Sequence, residues 1–68
     1  MTPTPRQMGR RLRAIRTDKK LSQATVAKRA RLSREYVNKI EAGRYDPPLS
    51  TINALAKALG VPVTELLE

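Results

Sequence analysis

Residues 23–41 read QATVAKRARLSREYVNKIE, and this run decides the fold. A serine stands just before it at Ser22 and another inside it at Ser33, and each follows a leucine. Leu21-Ser22 and Leu32-Ser33 have the form of an apolar N′ residue followed by an N-cap. The hydroxyl accepts from first-turn N–H groups, and the leucine staples onto the fourth helical position. That position is Val26 after the first serine and Val37 after the second. A helix over about 23–29, packing Val26, Ala27 and Ala30, and another over about 34–42, stopped by Gly43, are expected.

Working outward, Met8, Leu12 and Ile15 fall on one arc of a helix from Arg6 to about Thr17. Arg6, Arg10 and Arg13 lie on the opposite arc, which makes the outer face basic. Downstream, Asp46-Pro47-Pro48 reads as a loop. Leu49-Ser50 repeats the staple-and-cap pair, with Ala54 at the weaker fourth position. A helix over about 51–59 follows, burying Ile52, Leu55, Ala56 and Leu59, and Gly60 ends it. Beyond Pro62, residues 63–67 make a short fifth helix anchored by Leu66 and Leu67. Strand alternation is absent. The reading is all-α, with five short helices: residues 1–5 as a flexible lead containing Thr-Pro-Thr-Pro, and 6–68 as one domain.

Composition narrows the function. A chain of 68 residues allows one small core. It contains no Cys and no His, so disulfides are excluded and no metal site or cofactor is expected. The six carboxylates form no catalytic pair, and an enzyme is not expected. No apolar run approaches a membrane span, and no signal-peptide core follows Met1, so a cytoplasmic protein away from membranes is expected. Net charge is +8 and unevenly placed: thirteen Lys/Arg face three acids up to Arg44, whereas Lys57 alone faces three acids from Tyr45 onward. A basic N-terminal two-thirds suits a polyanion partner.

Three or four residues separate the two central helices, which is the spacing of a helix-turn-helix. Residues 23–41 resemble the motif of the Cro/C1-type (XRE-like) DNA-binding family. Gln23 matches the glutamine that opens the motif. Ala27 matches the small residue at the helix crossing, and Val26, Ala30, Leu32, Val37 and Ile40 match its apolar positions. Glu41-Ala42-Gly43-Arg44 with Pro48 is similar to the family's E-x-G-[KR] and following proline, and Ala56 to Val61 to its fourth helix and exit. The likeness covers about 8–67 and implies a lambda-repressor-like bundle, with the motif at about 22–41 and a recognition helix at about 33–42. Arg31 and Lys20 depart from it, standing where glycine is usual. A left-handed arginine would cost about 1 kcal/mol relative to glycine.

On a wheel with Arg34 at zero and about 100° per residue, Asn38, Glu35 and Lys39 fall within about 140° of it. Tyr36, Ile40 and Val37 occupy the other side. The polar side suits a major groove: Arg34 and Lys39 can donate to guanine, Asn38 can read adenine, and Glu35 can accept from cytosine N4. The resemblance implies that Gln23, helped by Ser22, clamps a phosphate. Ser33, Tyr36, Arg44, Tyr45 and Arg10 complete the expected phosphate contacts. It also implies an ion pair between Arg16 and Glu41, assigned to structure. The partner expected is double-stranded DNA, bound by a homodimer formed through the fourth and fifth helices, where Val61, Val63, Leu66 and Leu67 cluster. No small-molecule ligand is evident. A regulator of transcription is the leading reading, and the alternative is an antitoxin or adaptor that uses the same fold to hold a protein.

Overall fold

A computed structural model describes residues 3–68. Its elements are α1 (Pro5–Asp18), α2 (Gln23–Ala30), α3 (Arg34–Glu41), α4 (Leu49–Leu59) and α5 (Thr64–Leu67), with no strand among the described residues. α2 packs against α3 and α4, while α1 lies across α3 and α5. The all-α, five-helix expectation holds.

Serine caps account for the two central helix starts. Ser22 Oγ accepts from Thr25 N–H at 3.0 Å, and Ser33 Oγ accepts from Tyr36 N–H at 3.1 Å. The other starts differ from expectation. Thr4 caps α1 in a reciprocal capping box: its Oγ1 accepts from Gln7 N–H at 3.1 Å, and Gln7 Oε1 accepts from Thr4 N–H at 2.9 Å. Pro5 is preset for the first helical position, where its missing N–H costs nothing. Of the flexible lead anticipated over 1–5, Thr4 and Pro5 instead cap and open α1, and Met1 and Thr2 lie outside the described residues. Nor does the third Leu-Ser pair cap a helix. Pro48 holds the N-cap position of α4 without a side-chain bond, and its carbonyl accepts from Ile52 N–H at 3.1 Å. The helix starts at Leu49 because the fixed proline φ already leads into it. Leu49 is left 59% exposed, stapling nothing.

Four helices end the same way, in a residue with positive φ: Lys20 (59°), Arg31 (59°), Gly43 (76°) and Gly60 (72°). The next N–H reaches back to the helix in each case: Leu21 to Arg16 O (3.0 Å), Leu32 to Ala27 O (2.8 Å), Arg44 to Lys39 O (3.0 Å) and Val61 to Ala56 O (3.1 Å). This is the Schellman closure. Leu21 and Leu32 thus seal one helix from behind while introducing the next. Lys20 and Arg31 adopt the left-handed conformation with side chains attached, as the departure from glycine implied.

Leu12, Val26, Val37, Ile40, Leu55 and Leu66 are fully buried, and Met8, Ala27, Ala30, Ile52, Ala56, Ala58 and Leu59 complete the core. Ile15, expected inside, is only partly covered at the edge of the α1–α5 groove. Leu66, expected to anchor the fifth helix, does so by closing the core, and it is thereby withdrawn from the apolar cluster with Val61, Val63 and Leu67.

Two features hold α1 on α3. Gly9 is buried where the helices cross, and a Cβ there would collide with Ile40 O and lie 2.8 Å from Glu41 O. Further along, Arg16 and Glu41 form a bidentate pair, Nε to Oε2 at 2.6 Å and Nη2 to Oε1 at 3.0 Å, with side chains only 12% and 4% exposed. The third guanidinium nitrogen donates to Leu21 O at 2.7 Å, tying the α1–α2 turn to the same point. Hydrogen bonding to Glu41 raises the Arg16 pKa above its ordinary value; burial opposes this and charge attraction adds to it. A raised cation pKa stabilises the fold below the unfolded value and is lost only as pH climbs through the folded one, so Arg16 stays charged throughout the neutral range. No helix among the described residues is long and apolar enough to cross a membrane.

Gly9→Ala should lower stability by about 2 kcal/mol despite alanine's better helix propensity, because the added carbon meets backbone that cannot yield locally. Chemical denaturation checks this, and equal or higher stability would mean that the helices do not cross at Gly9. Glu41→Ala strands a nearly buried guanidinium and should cost about 3 kcal/mol, a fall of at least ~12 °C in Tm. A thermal melt with no shift would remove the pair from the restraints on the fold.

Candidate nucleic-acid interface

α3 is seated by Val37 and Ile40, both buried completely. Helical periodicity then pushes Arg34, Glu35 and Asn38 outward, with Lys39 half-exposed. These four residues and Arg44 line one shallow surface hollow. The four side chains assigned to base edges are thus brought together, and Arg44 joins them because the Gly43 turn folds the chain back beside α3. The hollow carries three cations and one carboxylate.

Tyr36 is half-buried against the core, and its ring centroid lies 5.6 Å from that of Tyr45. Lys39 Nζ sits 5.6 Å from the Tyr45 ring, at the outer range of a cation–π contact. Tyr45 itself is 44% exposed. Two residues read separately as phosphate contacts therefore form one aromatic pair at the rim. No spacing rule links them, since the Gly43 turn intervenes.

At the other rim, the start of α2 presents Ser22 and Gln23. The Ser22 hydroxyl is committed within the turn, accepting from Thr25 N–H and donating to Thr25 Oγ1 at 2.9 Å. The first-turn N–H groups of Gln23 and Ala24 remain for an anion. Ser33 Oγ accepts its capping bond and keeps its hydroxyl hydrogen. The Gln23 side chain turns inward, with Nε2 donating to Glu41 Oε1 at 3.0 Å and Oε1 accepting from Asn38 Nδ2 at 3.3 Å. Sequence reasoning missed this link: the family likeness pointed Gln23 at phosphate, and no periodicity connects residues on different helices.

α1 adds a cation that the expected site omitted. Arg13 lines a second hollow with Arg16, Gln23, Asn38, Glu41 and Ala42. It lies three residues before Arg16, hence on the same side of α1, and that spacing was the available signal. Arg10 is exposed on α1 but lines neither hollow.

Donors and acceptors on the outer face of α3 are flanked by free N–H groups and cations, an arrangement that can hydrogen-bond a polyanion. Comparison with known proteins agrees. A family model described as a helix-turn-helix domain matches residues 7–68. The immunity repressor protein of Bacillus phage phi105 is 47% identical over 60 residues, which are 88% of this chain and 42% of the repressor. The HTH-type transcriptional regulator DdrOP3 of Deinococcus deserti is 38% identical over 58 residues, 85% of this chain and 45% of the regulator. The chain thus spans less than half the length of these two relatives. The crystal structure of the restriction-modification controller protein C.AhdI from Aeromonas hydrophila superposes with a TM-score of 0.89 at 42% identity, covering 91% of this chain and 94% of the controller. The chain belongs to the helix-turn-helix domain family, in its Cro/C1-type (XRE-like) branch.

Proposed function

We propose that this chain is a sequence-specific, double-stranded DNA-binding regulator of transcription that lays α3 in the major groove. The observation that carries the reading is the single hollow shared by Arg34, Glu35, Asn38, Lys39 and Arg44, which holds three cations and one carboxylate. Arg34 stands at the first turn of α3, the end that a helix-turn-helix directs at base edges, and its fork matches guanine O6 and N7. Lys39 reaches guanine or a phosphate, and Glu35 accepts from cytosine N4. Unpaired among phosphates, Glu35 is costly, so it penalises wrong sequences.

Register on the duplex comes from contacts that carry no sequence information. The free N–H groups at the start of α2 around Ser22 and Gln23, the Ser33 hydroxyl, Arg44 and the Tyr36–Tyr45 pair supply these, with Arg13 reaching in from α1 and Arg10 exposed on the same helix. Two copies on a palindromic operator would place half-sites about 34 Å apart. Exposed Leu49 and partly buried Val61, Val63 and Leu67 supply apolar surface on α4, α5 and the turn between them for that dimer. Function in the cytoplasm, on nucleoid DNA, follows from the same reading.

Selection from a random duplex pool should return a palindrome preferred by about a thousandfold over unselected DNA. Equal weak binding to all duplexes would overturn the regulator reading in favour of a protein-holding adaptor or antitoxin. On the selected site, Arg34→Ala should weaken binding about tenfold or more and relax the preference at one base pair. With about six phosphates neutralised per bound unit, log K against log salt should slope near −5, and Arg44→Ala should make it shallower by about one. Salt titrations by fluorescence anisotropy measure both, and an unchanged slope would remove Arg44 from the phosphate contacts.

A further inference from the structure

Four polar side chains from three helices form a continuous chain: Arg16 to Glu41, Glu41 to Gln23, Gln23 to Asn38. Each terminal amide in isolation could be turned end for end, exchanging donor and acceptor. Here that freedom is removed from one end. Glu41 Oε1 already accepts from Arg16 Nη2 at 3.0 Å, and an ionised carboxylate can only accept. Gln23 must therefore offer Nε2 to it, because the flipped amide would set two oxygens against each other. Gln23 Oε1 then faces Asn38, which must answer with Nδ2. The order of donors and acceptors passes from a nearly buried ion pair to the exposed surface of α3.

We propose that this relay fixes the hydrogen-bonding polarity of Asn38, with Oδ1 outward as an acceptor, and that Gln23 is a positioning residue for base selection. The inference rests on the DNA-binding reading and deepens it. Asn38 is the residue common to both hollows, one holding the relay and the other the outer face of α3. Only one Nδ2 hydrogen is used by Gln23. An outward Oδ1 with the remaining amide hydrogen matches adenine, accepting from N6 and donating to N7. Cytosine N4 satisfies Oδ1 alone, while guanine shows only acceptors in the major groove and faces the wrong polarity. Without the relay Asn38 could turn over, and its discrimination between donor and acceptor bases would collapse.

Two measurements on the whole chain test this. The first needs no DNA: in ¹H–¹⁵N spectra, one Asn38 side-chain amide hydrogen should exchange slowly, and Gln23→Met, which keeps length without polar atoms, should abolish that protection. Equal protection in both proteins would overturn the relay. The second is selection from random duplexes. The parent should prefer adenine, then cytosine, at one position per half-site, and Gln23→Met should reduce the adenine-to-guanine ratio there about fivefold while leaving other positions unchanged. An unaltered profile, or a loss of affinity uniform across all sequences, would restrict Gln23 to backbone contact and overturn the positioning role. If the parent selects no sequence at all, the DNA reading and the base preference fall together, and the spectra still decide the relay. Thermal melts of the variant separate a lost bond from a lost fold.

Discussion

The carboxylate of Glu41 is the constraint on which the rest depends. It sits on the last turn of α3, only 4% exposed, and receives Arg16 from α1 and Gln23 from α2. A nearly buried carboxylate without partners would be strongly destabilising, so the three helices are held to the arrangement that supplies them. The close passage at Gly9 makes that arrangement reachable, because α1 must lie on the backbone of α3 for Arg16 to extend across. One interaction thereby couples the stability of the bundle to the pose of the helix that faces outward.

Economy elsewhere comes from residues acting at two junctions. Leu21 and Leu32 complete the left-handed closure behind them and introduce the capped helix in front. Linkers can then be very short, and the angle between α2 and α3 is set by packing and hydrogen bonds together. A chain of this size can bury only a small apolar core, here centred on six fully buried side chains. Capped and closed helix ends make up part of the difference.

The same economy explains why the outer face of α3 is so polar. Val37 and Ile40 suffice to seat it, with Tyr36 half in and half out. Where α3 leans on the chain that follows, the support is aromatic: Tyr45 packs on Tyr36 and lies beside Lys39. Tyr36 thereby packs on the core with one part of its ring and on Tyr45 with the other.

Much of this was written in the sequence, because the signals are local. Two Leu-Ser pairs, the 3.6-residue spacing of Val26, Val37, Ile40, Ile52 and Leu55, and Gly43 and Gly60 determine helix identity through contacts within a few residues. The outward set of Arg34, Glu35, Asn38 and Lys39 follows from the same periodicity. Family likeness supplied the Arg16–Glu41 pair, which spacing alone could not. The third Leu-Ser pair misled because a proline already occupied the cap position, and the start of α1 was obscured by prolines that read as disorder. Tertiary structure alone decided what joins different helices: the contact at Gly9, the turning of Gln23 toward Glu41 and the Tyr36–Tyr45 pair. These depend on distances between segments far apart in the chain, and no period or cap along the sequence records such a distance.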